Sequence, residues 1–405
     1  MRPLDGIRVV SIEHAVAAPL CTKNLSSLGA DIIKVERPPG GDFARWYDAA
    51  VNGLSAHFVW LNVDKRSIAL DLKLAEGGSV FWDLLRTADV FVSNLGPGSL
   101  KRLIGVDSVR EVVAEIIECH IAGYSPKGPY FRRKAYDLLI QGEAGITRST
   151  GTPDHPAKPA VSIADLAGGQ NAALAIVSAL LQRNRTGEGQ TLNISLFDVV
   201  TDWMSPLLLT YKHSHSIPVP AGTSHASIAP YGAFLCSDGT FLNIAVQNED
   251  EWDRFCRQVL DDNELLADGR YSSNQKRVAN REPLERHLQD FFRARRSDTL
   301  SKKLDAADIG WGIMRTVDAV VRHPELVERH RWASARSAKG ARLDVLIDPL
   351  ATLFGENSSR QPAGAHLPDV GEHTFDVLKE IGYGDARLKE LQDLGVFGRQ
   401  PAPSK

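Results

Sequence analysis

Short apolar segments alternate with helical patterns along the first 200 residues. Apolar, β-branched runs predict five strands, the last of them with an ambiguous period, at Ile7–Glu13, Asp31–Glu36, Ser67–Leu72, Asp89–Val92 and Val112–His120. A sixth strand is predicted at Thr191–Leu196, and helices at Pro19–Leu28, Glu76–Thr87 and Asp165–Arg183. Such alternation indicates a parallel sheet with helices on both faces, in which ligands bind beyond the carboxyl ends of the strands.

The pattern changes near residue 212. Lys212–Pro230 is predicted to be a loop, since it holds three His and three Pro residues. A hairpin is predicted at Tyr231–Ala245, closed by Ser237-Asp238-Gly239. Charged helices are expected to follow, from Glu249 to about Asp305.

A chain of 405 residues exceeds the usual size of one domain. We therefore predict an α/β fold with a Rossmann-like parallel sheet domain and a smaller α+β domain. The large domain is placed at 1–205 and the small domain at 222–320, and a C-terminal segment, 330–405, is expected to return to the large domain.

Charge and cysteine usage exclude several classes of function. The formal net charge of −3 gives no long-range attraction to nucleic acid or to an anionic membrane, so an anionic ligand needs a local basic pocket. The four Cys residues form no CxxC pair, which argues against a zinc knuckle or a redox dithiol and favours a reducing, cytoplasmic setting. No membrane-spanning run and no signal sequence are expected, and no metal site is predicted.

Common cofactor and catalytic signatures are missing from the sequence. We find no GxGxxG after the first strand, and no GxxxxGK[ST], HExxH or GxSxG. Basic residues instead cluster around the predicted strand ends. Several cations at one sheet edge could hold a phosphate-rich ligand, although each alone is more typical of solvated surface charge. They are Arg37, Lys65, Arg66, Lys73, Lys101, Arg102, Arg132, Arg133 and Lys134.

Asp165 lies in Ile163-Ala164-Asp165-Leu166-Ala167-Gly168-Gly169, at the start of a predicted helix. An Asp at this point is commonly an N-cap. Gly168 and Gly169 would leave open space beside the carboxylate, and glycines cost a helix up to about 1 kcal/mol each, which suggests close approach of backbone or ligand. A carboxylate is ionised at neutral pH and can act as a nucleophile without a partner base. His14, His213, His215 and His225 are alternative acid/base groups or surface residues.

Several segments together resemble the class III CoA transferases, the group of formyl-CoA transferase and carnitine CoA-transferase. Leu28-Gly29-Ala30-Asp31-Ile32-Ile33-Lys34-Val35-Glu36 is similar to their LGADVIKVE segment. Ala88-Asp89-Val90 through Asn94-Leu95-Gly96-Pro97-Gly98 resembles their ADVxxENFxPG. The opening Leu4–Val10, Asn62–Lys73 and the GxGQ turn at Gly187–Gln190 add to the match, which covers nearly the whole chain.

The resemblance implies an enzyme that moves CoA between carboxylic acids, with Asp165 as nucleophile. It implies anhydride and aspartyl-CoA thioester intermediates, an acyl-CoA and a small carboxylic acid as substrates, and no permanently bound cofactor. It also implies a homodimer of two interlocked, ring-like chains. The CoA-contacting positions of the family fall on Arg37, Leu70, Lys73, Asn94, Leu95, Gly96, Arg102, Lys134, Tyr136 and Asp137.

The sequence departs from formyl-CoA transferase at the substrate positions. Val16 replaces a Gln of that enzyme, and its run of shielding glycines is missing, so Val16, Ala17 and His225 are the expected substrate contacts. The Gly222–Tyr231 segment resembles members that act on C4 and C5 dicarboxylates, which favours a dicarboxylyl-CoA donor such as succinyl-CoA. Two alternatives are an acyl-CoA racemase of the same superfamily, whose catalytic His is Tyr136 here, and a non-catalytic nucleotide-binding protein.

Overall fold

The computed structural model describes residues 1–353 and 365–398, which form two compact units. The first unit comprises Met1–Ala144, Ala160–Ser205 and the described residues of Glu325–Lys405. The second comprises Gly145–Pro159 and Pro206–Pro324. The predicted small domain, 222–320, falls within the second unit.

Twelve strands form three sheets within the described residues. The strands are β1 (Arg8–Ile12), β2 (Asp31–Glu36), β3 (Arg66–Ala69), β4 (Val90–Ser93), β5 (Ile117–Ala122), β6 (Gln190–Ser195), β7 (Tyr231–Leu235), β8 (Phe241–Ala245), β9 (Gly310–Ile313), β10 (Trp332–Ser337), β11 (Arg342–Leu346) and β12 (His366–Leu367).

The helices of the first 214 residues are α1 (Ala17–Ser27), α2 (Ala56–Asn62), α3 (Ala75–Leu85), α4 (Ser99–Ile104), α5 (Asp137–Glu143), α6 (Ile146–Ser149), α7 (Ile163–Thr186), α8 (Leu196–Trp203) and α9 (Ser205–Ser214). Those that follow are α10 (Glu249–Arg254), α11 (Asn263–Ala267), α12 (Asn274–Ala279), α13 (Arg281–Arg293), α14 (Ser297–Ala306), α15 (Val317–Val321), α16 (Pro324–Val327), α17 (Thr374–Glu380) and α18 (Asp385–Asp393).

The largest sheet has six parallel strands in the order β3-β2-β1-β4-β5-β6. This is the strand order of doubly wound nucleotide-binding folds, and the predicted Rossmann-like α/β fold is confirmed. Strands such as β2 and β4 are buried almost throughout because both sheet faces are covered. One face packs against α3, α17 and α18 through a single buried cluster that includes Val10, Phe81 and Leu391.

The second unit is built on the antiparallel sheet β7-β8-β9. The predicted hairpin is confirmed, since β7 pairs with β8 from Tyr231 opposite Ala245 to Leu235 opposite Phe241. The helix α13 buries Leu284, Leu288 and Phe292, which recur every four residues and therefore share one helix face against the sheet.

Most predicted boundaries differ from the structure by at least one residue, and three of the differences affect the description of the fold. β5 begins at Ile117, not at Val112, because a helical turn at Val109–Glu111, capped by Ser108 and Glu111, accepts from the backbone N–H groups of Val112 and Val113. α7 begins at Ile163, two residues before Asp165. The predicted loop from Lys212 was wrong at its start, since α9 extends to Ser214; basic residues suit the last turn of a helix.

A third sheet, β11-β10-β12, lies in the first unit and was not predicted. Leu343 and Val345 of β11 are buried with Ala335, Phe58 and Val59, so this sheet covers α2. Contrary to the expectation that the sequence holds no membrane-spanning run, α7 is long and apolar enough, by length and composition, to cross a membrane. Half of its most apolar 18-residue stretch is buried inside the protein.

Candidate active site

The turns that follow β1 and β4 meet where the strand order of the sheet reverses. β1 lies between β2 and β4. The connection after β1 leads to β2 and the connection after β4 leads to β5, on the opposite side, which opens a crevice at the carboxyl ends of β1 and β4. The backbone N–H of His14 donates to Asn94 Oδ1 at 3.0 Å, and Asn94 Nδ2 donates to the carbonyl of His14 at 2.8 Å. The Asn94 amide therefore fixes the β1–α1 turn at the ligand-binding edge of the sheet.

Asp165 is the third residue of α7 and does not cap it. The N-cap is Ser162, whose side chain makes no capping bond. Asp137 Oδ1 instead accepts from the backbone N–H groups of Ala164, at 2.9 Å, and Asp165, at 3.4 Å. The sequence reading of Asp165 as an N-cap was wrong because a carboxylate from α5 takes that role, which leaves the Asp165 carboxylate without a backbone partner.

The Asp165 carboxylate lies in an environment that disfavours its charge. Burial raises its pKa, and the nearby Asp137 carboxylate raises it further, to about 7. No described residue donates a hydrogen bond to the Asp165 side chain. Desolvated carboxylates with strongly shifted pKa values in a crevice are typical of catalytic groups.

The expected open space at Gly168 and Gly169 is absent. A Cβ on Gly169 would lie 2.5 Å from the Ala17 carbonyl oxygen, and one on Gly168 would collide with Leu196. Gly169 allows α7 to pack directly against α1, and Gly168 allows it to pack against Leu196 of α8, so the cost in helix propensity serves close approach of other parts of the protein. Leu166 packs against the buried cluster of Val16, Leu20 and Leu61, so the start of α7, which carries Asp165, lies close to α1.

A buried network of charges underlies this turn and was not predicted. Lys34 Nζ donates to Asp42 Oδ2 at 2.7 Å and to Asn62 Oδ1 at 2.9 Å. Lys65 Nζ donates to Glu13 Oε1 at 2.7 Å and to the same Asn62 oxygen at 3.3 Å. Two carboxylates and two ammonium groups thus balance one another in the interior, which buried charges require.

Two tyrosines lie near the carboxylate. Burial raises the pKa of Tyr47 to about 12, with contributions from Asp42, Asp165 and Tyr136. The Tyr47 phenol therefore stays protonated at neutral pH and can donate a hydrogen bond. Tyr136 precedes α5, is 65% exposed and lies near Tyr47.

The sequence model of CoA-transferase family III matches residues 4–374. The chain belongs to CoA-transferase family III. It is therefore an enzyme of the transferase class, as the motifs indicated.

Known members of the family resemble this transferase over almost its whole length. The human succinyl-CoA:glutarate CoA-transferase is 30% identical over 401 residues, which are 98% of this chain and 90% of that protein. The succinyl-CoA:mesaconate CoA-transferase of Haloarcula hispanica is 29% identical over 95% of this chain and 98% of its own. The crystal structure of a CAIB/BAIF family protein from Brucella suis superposes with a TM-score of 0.81, at 32% identity, over 94% of this chain and 99% of that one.

The positions that the resemblance assigns to CoA lie at the carboxyl edge of the large sheet, but they differ in what they expose. Gly96 and Arg102 line a cavity of about 580 Å³ beside β4 and β5. Lys73 and Arg102 line a shallower cleft of about 690 Å³. Leu70 and Leu95 pack on the hydrophobic core of the transferase, so their backbone is what they can offer a ligand.

The cations divide into free and paired groups. Arg37, Lys73 and Lys134 are exposed and form no ion pair with a described residue. Lys65 is buried against Glu13, and Arg66 pairs with both Asp31 and Glu380. The expectation that Lys65 and Arg66 belong to the cations that hold a ligand was wrong, because carboxylates of the protein itself form ion pairs with both side chains.

The predicted substrate contacts fall in both units. Val16 and Ala17 are 4% and 3% exposed, and they begin α1 next to Asp165. His225 lies in the second unit, where its ring stacks on Tyr231 at 5.2 Å and its Nδ1 accepts from the N–H of Ser227. A role for His225 in substrate binding stays a prediction.

No group of three or more His, Cys, Asp or Glu residues in the described part of the transferase could hold a metal ion. Its cysteines are buried and free. Burial raises the pKa of Cys119 to about 12 and that of Cys236 to about 11, so neither forms a thiolate near neutral pH.

Proposed function

We propose that this transferase moves CoA from a dicarboxylyl-CoA, such as succinyl-CoA, to a small dicarboxylic acid, with Asp165 as the covalent nucleophile. The observation that carries the proposal is the Asp165 carboxylate itself, which is desolvated, has a pKa of about 7 and receives no hydrogen bond from the described residues. The relatives named for succinyl-CoA with glutarate or mesaconate support the dicarboxylate class.

The reaction would proceed in paired acyl-transfer steps. The Asp165 carboxylate attacks the carbonyl carbon of the donor thioester, and CoA leaves as thiolate, which produces a mixed anhydride. The thiolate then attacks the Asp165 carbonyl, releases the donor acid and forms an aspartyl-CoA thioester. The acceptor carboxylate repeats the sequence in reverse and departs as its CoA thioester.

Each of these steps has an oxyanionic transition state that needs hydrogen-bond donors. The N–H groups of Ala164 and Asp165 already donate to Asp137. In contrast, Ala17 and Ala18 open α1, and their N–H groups have no acceptor among the described residues. We therefore assign the oxyanion site to the first turn of α1, a role that Ala18 and buried Ala17, one of the predicted substrate contacts, can fill through their backbone.

CoA would lie along the carboxyl edge of the sheet. Arg37, Lys73, Arg102 and Lys134 lie there without an ion pair to a described residue, and they suit the phosphates of CoA. The crevice between the β1 and β4 turns would direct the thioester end of CoA toward Asp165.

The acceptor specificity is testable with the wild-type enzyme. With succinyl-CoA as donor, glutarate and mesaconate should have kcat/KM values at least about tenfold above that of butyrate, since a site built for a second carboxylate rejects an acid that lacks it. Mass spectrometry of the acyl-CoA products measures this, and Asp165→Ala serves as the inactive control. Equal kcat/KM for butyrate and the best dicarboxylate would contradict the proposed substrate class.

We also propose that two chains form an interlocked dimer. Large apolar side chains are exposed along the outer side of α7 and on the helices after it: Leu174 is 66% exposed, Leu181 55%, Trp203 47%, Leu208 49% and Leu209 55%. A second copy of the chain would bury this surface, which a monomer would leave in water.

A further inference from the structure

The imidazole of His14 has one ring edge against a carboxylate and the other edge available to a ligand. Nδ1 is buried without a hydrogen-bond partner and lies 3.8 Å from Asp42 Oδ1. The ring stacks on Phe43 with centroids 5.3 Å apart and planes at 24°. The side chain keeps 24% of its exposure, and Nε2 bonds to no described residue.

Asp42 is held as an ionised acceptor beside that ring. Burial alone would raise its pKa, but Lys34, His14 and the backbone N–H of Ala44 more than offset this effect and hold the pKa well below the usual range. Its Oδ1, the atom nearest His14, also accepts from the N–H groups of Ala44 at 2.9 Å and Ala15 at 3.2 Å. The ring is thus held between the face of Phe43 and a fixed carboxylate near Nδ1, which leaves Nε2 as the nitrogen that can face a ligand.

The backbone places this pair beside Asp165. Ala15 has a φ of 60°, a left-handed conformation that is strained for a residue with a side chain. Two hydrogen bonds between the Asn94 amide and the backbone of His14, and a third from the N–H of Ala15 to Asp42, hold the turn in this conformation. The next residue, Val16, belongs to the buried cluster against which Leu166 of α7 packs, so the turn that carries His14 lies close to the start of α7. Phe43, which stacks on the His14 ring, also contacts the Tyr47 ring, and the Asp165 carboxylate helps to raise the pKa of Tyr47, so Tyr47 connects the two groups.

We propose that His14, oriented by Asp42, is the hydrogen-bond and proton partner of the CoA sulfur; this inference rests on the proposed function. When Asp165 attacks the thioester, the C–S bond breaks and its electron pair moves to sulfur. The Nε2–H of the His14 imidazolium gives its proton to that sulfur, which leaves a bound thiol and a neutral imidazole. Nε2 takes the proton back as the sulfur attacks the Asp165 anhydride and the donor acid leaves as carboxylate.

Two substitutions, each of which keeps a donor near one of the two ring nitrogens, separate a role in proton transfer from a structural role. His14→Asn keeps a donor near the Nδ1 position, toward Asp42, and lacks Nε2. His14→Gln keeps a donor near Nε2. In transfer from succinyl-CoA to glutarate, we expect kcat of His14→Asn and His14→Ala to fall at least about 100-fold, the usual size of a proton-transfer contribution, and that of His14→Gln to fall less.

Added imidazole gives the second readout. It should restore the kcat of His14→Ala about tenfold or more and leave His14→Asn unchanged, because Asn fills part of the vacated space. The control is His287→Ala, which removes a His–Asp pair of the second unit, in which His287 Nε2 lies 3.0 Å from Asp262 Oδ2. Its kcat should equal the wild-type value and should not change when imidazole is added.

The outcomes are distinguishable. If the wild-type enzyme transfers CoA and the kcat of His14→Ala is within threefold of the wild-type value, the role of His14 is refuted and the proposed function stays intact. A large loss that imidazole does not restore, with His14→Gln as impaired as His14→Asn, would assign His14 to structure alone and also overturn the inference. A wild-type enzyme without CoA-transfer activity would overturn the proposed function first.

Discussion

At the scale of single residues, Asp137 acts on Asp165 in two ways. Its Oδ1 holds the first backbone N–H groups of α7, and its charge raises the pKa of the Asp165 carboxyl, after burial, to about 7. The backbone N–H groups of Ala164 and Asp165, which could have stabilised the Asp165 carboxylate, thus donate to Asp137. A carboxylate that lacks such stabilisation is the more reactive nucleophile.

This arrangement predicts an acid limb in the pH profile. Because the pKa of Asp165 is raised, the group is protonated and unreactive below about pH 7, and kcat/KM for the acyl-CoA should fall about tenfold per pH unit below that point. Asp137→Asn keeps an acceptor for Ala164 and removes the charge, so the limb should move to lower pH. Gln141, whose Oε1 is buried without a partner, can turn to accept from the new amide.

The profile should be measured between about pH 5 and 9 for both enzymes. Asp385→Asn is the control, since it removes an acid from the first turn of another helix, α18. An acid limb that stays in place in Asp137→Asn would contradict the electrostatic account of Asp165.

The sequence identifies some of these residues and not others. Asp165 and Arg37 lie in contiguous motifs, so a motif match locates them. The pairing of Lys34 with Asp42 and of Lys65 with Glu13 joins side chains from separate elements, and burial decides it. Nothing in the local pattern distinguishes a Lys that is buried in an ion pair from one that is free for a phosphate.

At the scale of elements, strands bounded by clear turn residues were easier to place than short edge strands. The β2 range, Asp31–Glu36, is the predicted range, because Gly29 precedes this run and Pro38-Pro39 follow it, although the run itself includes buried Lys34 and Glu36. The sheet of β10 to β12 was missed, although Arg342–Leu346 alternates exposed and buried residues after a Gly turn. A strand of five residues with one buried face leaves only two apolar positions, which is a weak pattern.

The packing of α1 on α7 predicts unequal effects of two neighbouring glycines. A methyl group at Gly169 would meet the Ala17 carbonyl oxygen at 2.5 Å, which is backbone and cannot move alone. At Gly168 the obstacle is the flexible Leu196 side chain. Gly169→Ala should therefore destabilise the fold by about 1–3 kcal/mol and reduce kcat, and Gly168→Ala should do less.

Thermal unfolding of the two variants measures the difference. Gly78→Ala in α3 is the matched control, since its Cβ would meet no atom within 4 Å, and it should stabilise the protein by up to about 1 kcal/mol. A Gly169→Ala variant as stable and as active as wild type would show that α1 and α7 are not packed this closely.

At the scale of the whole molecule, the interlocked dimer makes a kinetic prediction. Chains that are threaded through each other cannot separate without partial unfolding, so two differently tagged homodimers should not exchange subunits over hours at 25 °C. They should exchange after denaturation and refolding. Native mass spectrometry detects the mixed dimer, and rapid exchange, or a folded monomer at nanomolar concentration, would refute interlocking.

The central claim is that CoA becomes covalently attached to Asp165, and one measurement tests it directly. Wild-type enzyme is mixed with succinyl-CoA without acceptor, quenched in acid and mapped by peptide mass spectrometry. The account predicts CoA in thioester linkage on the peptide that contains Asp165, its loss when glutarate is added before the quench, and its absence in Asp165→Ala. An adduct on another residue, or turnover to glutaryl-CoA by Asp165→Ala at the wild-type rate, would contradict it.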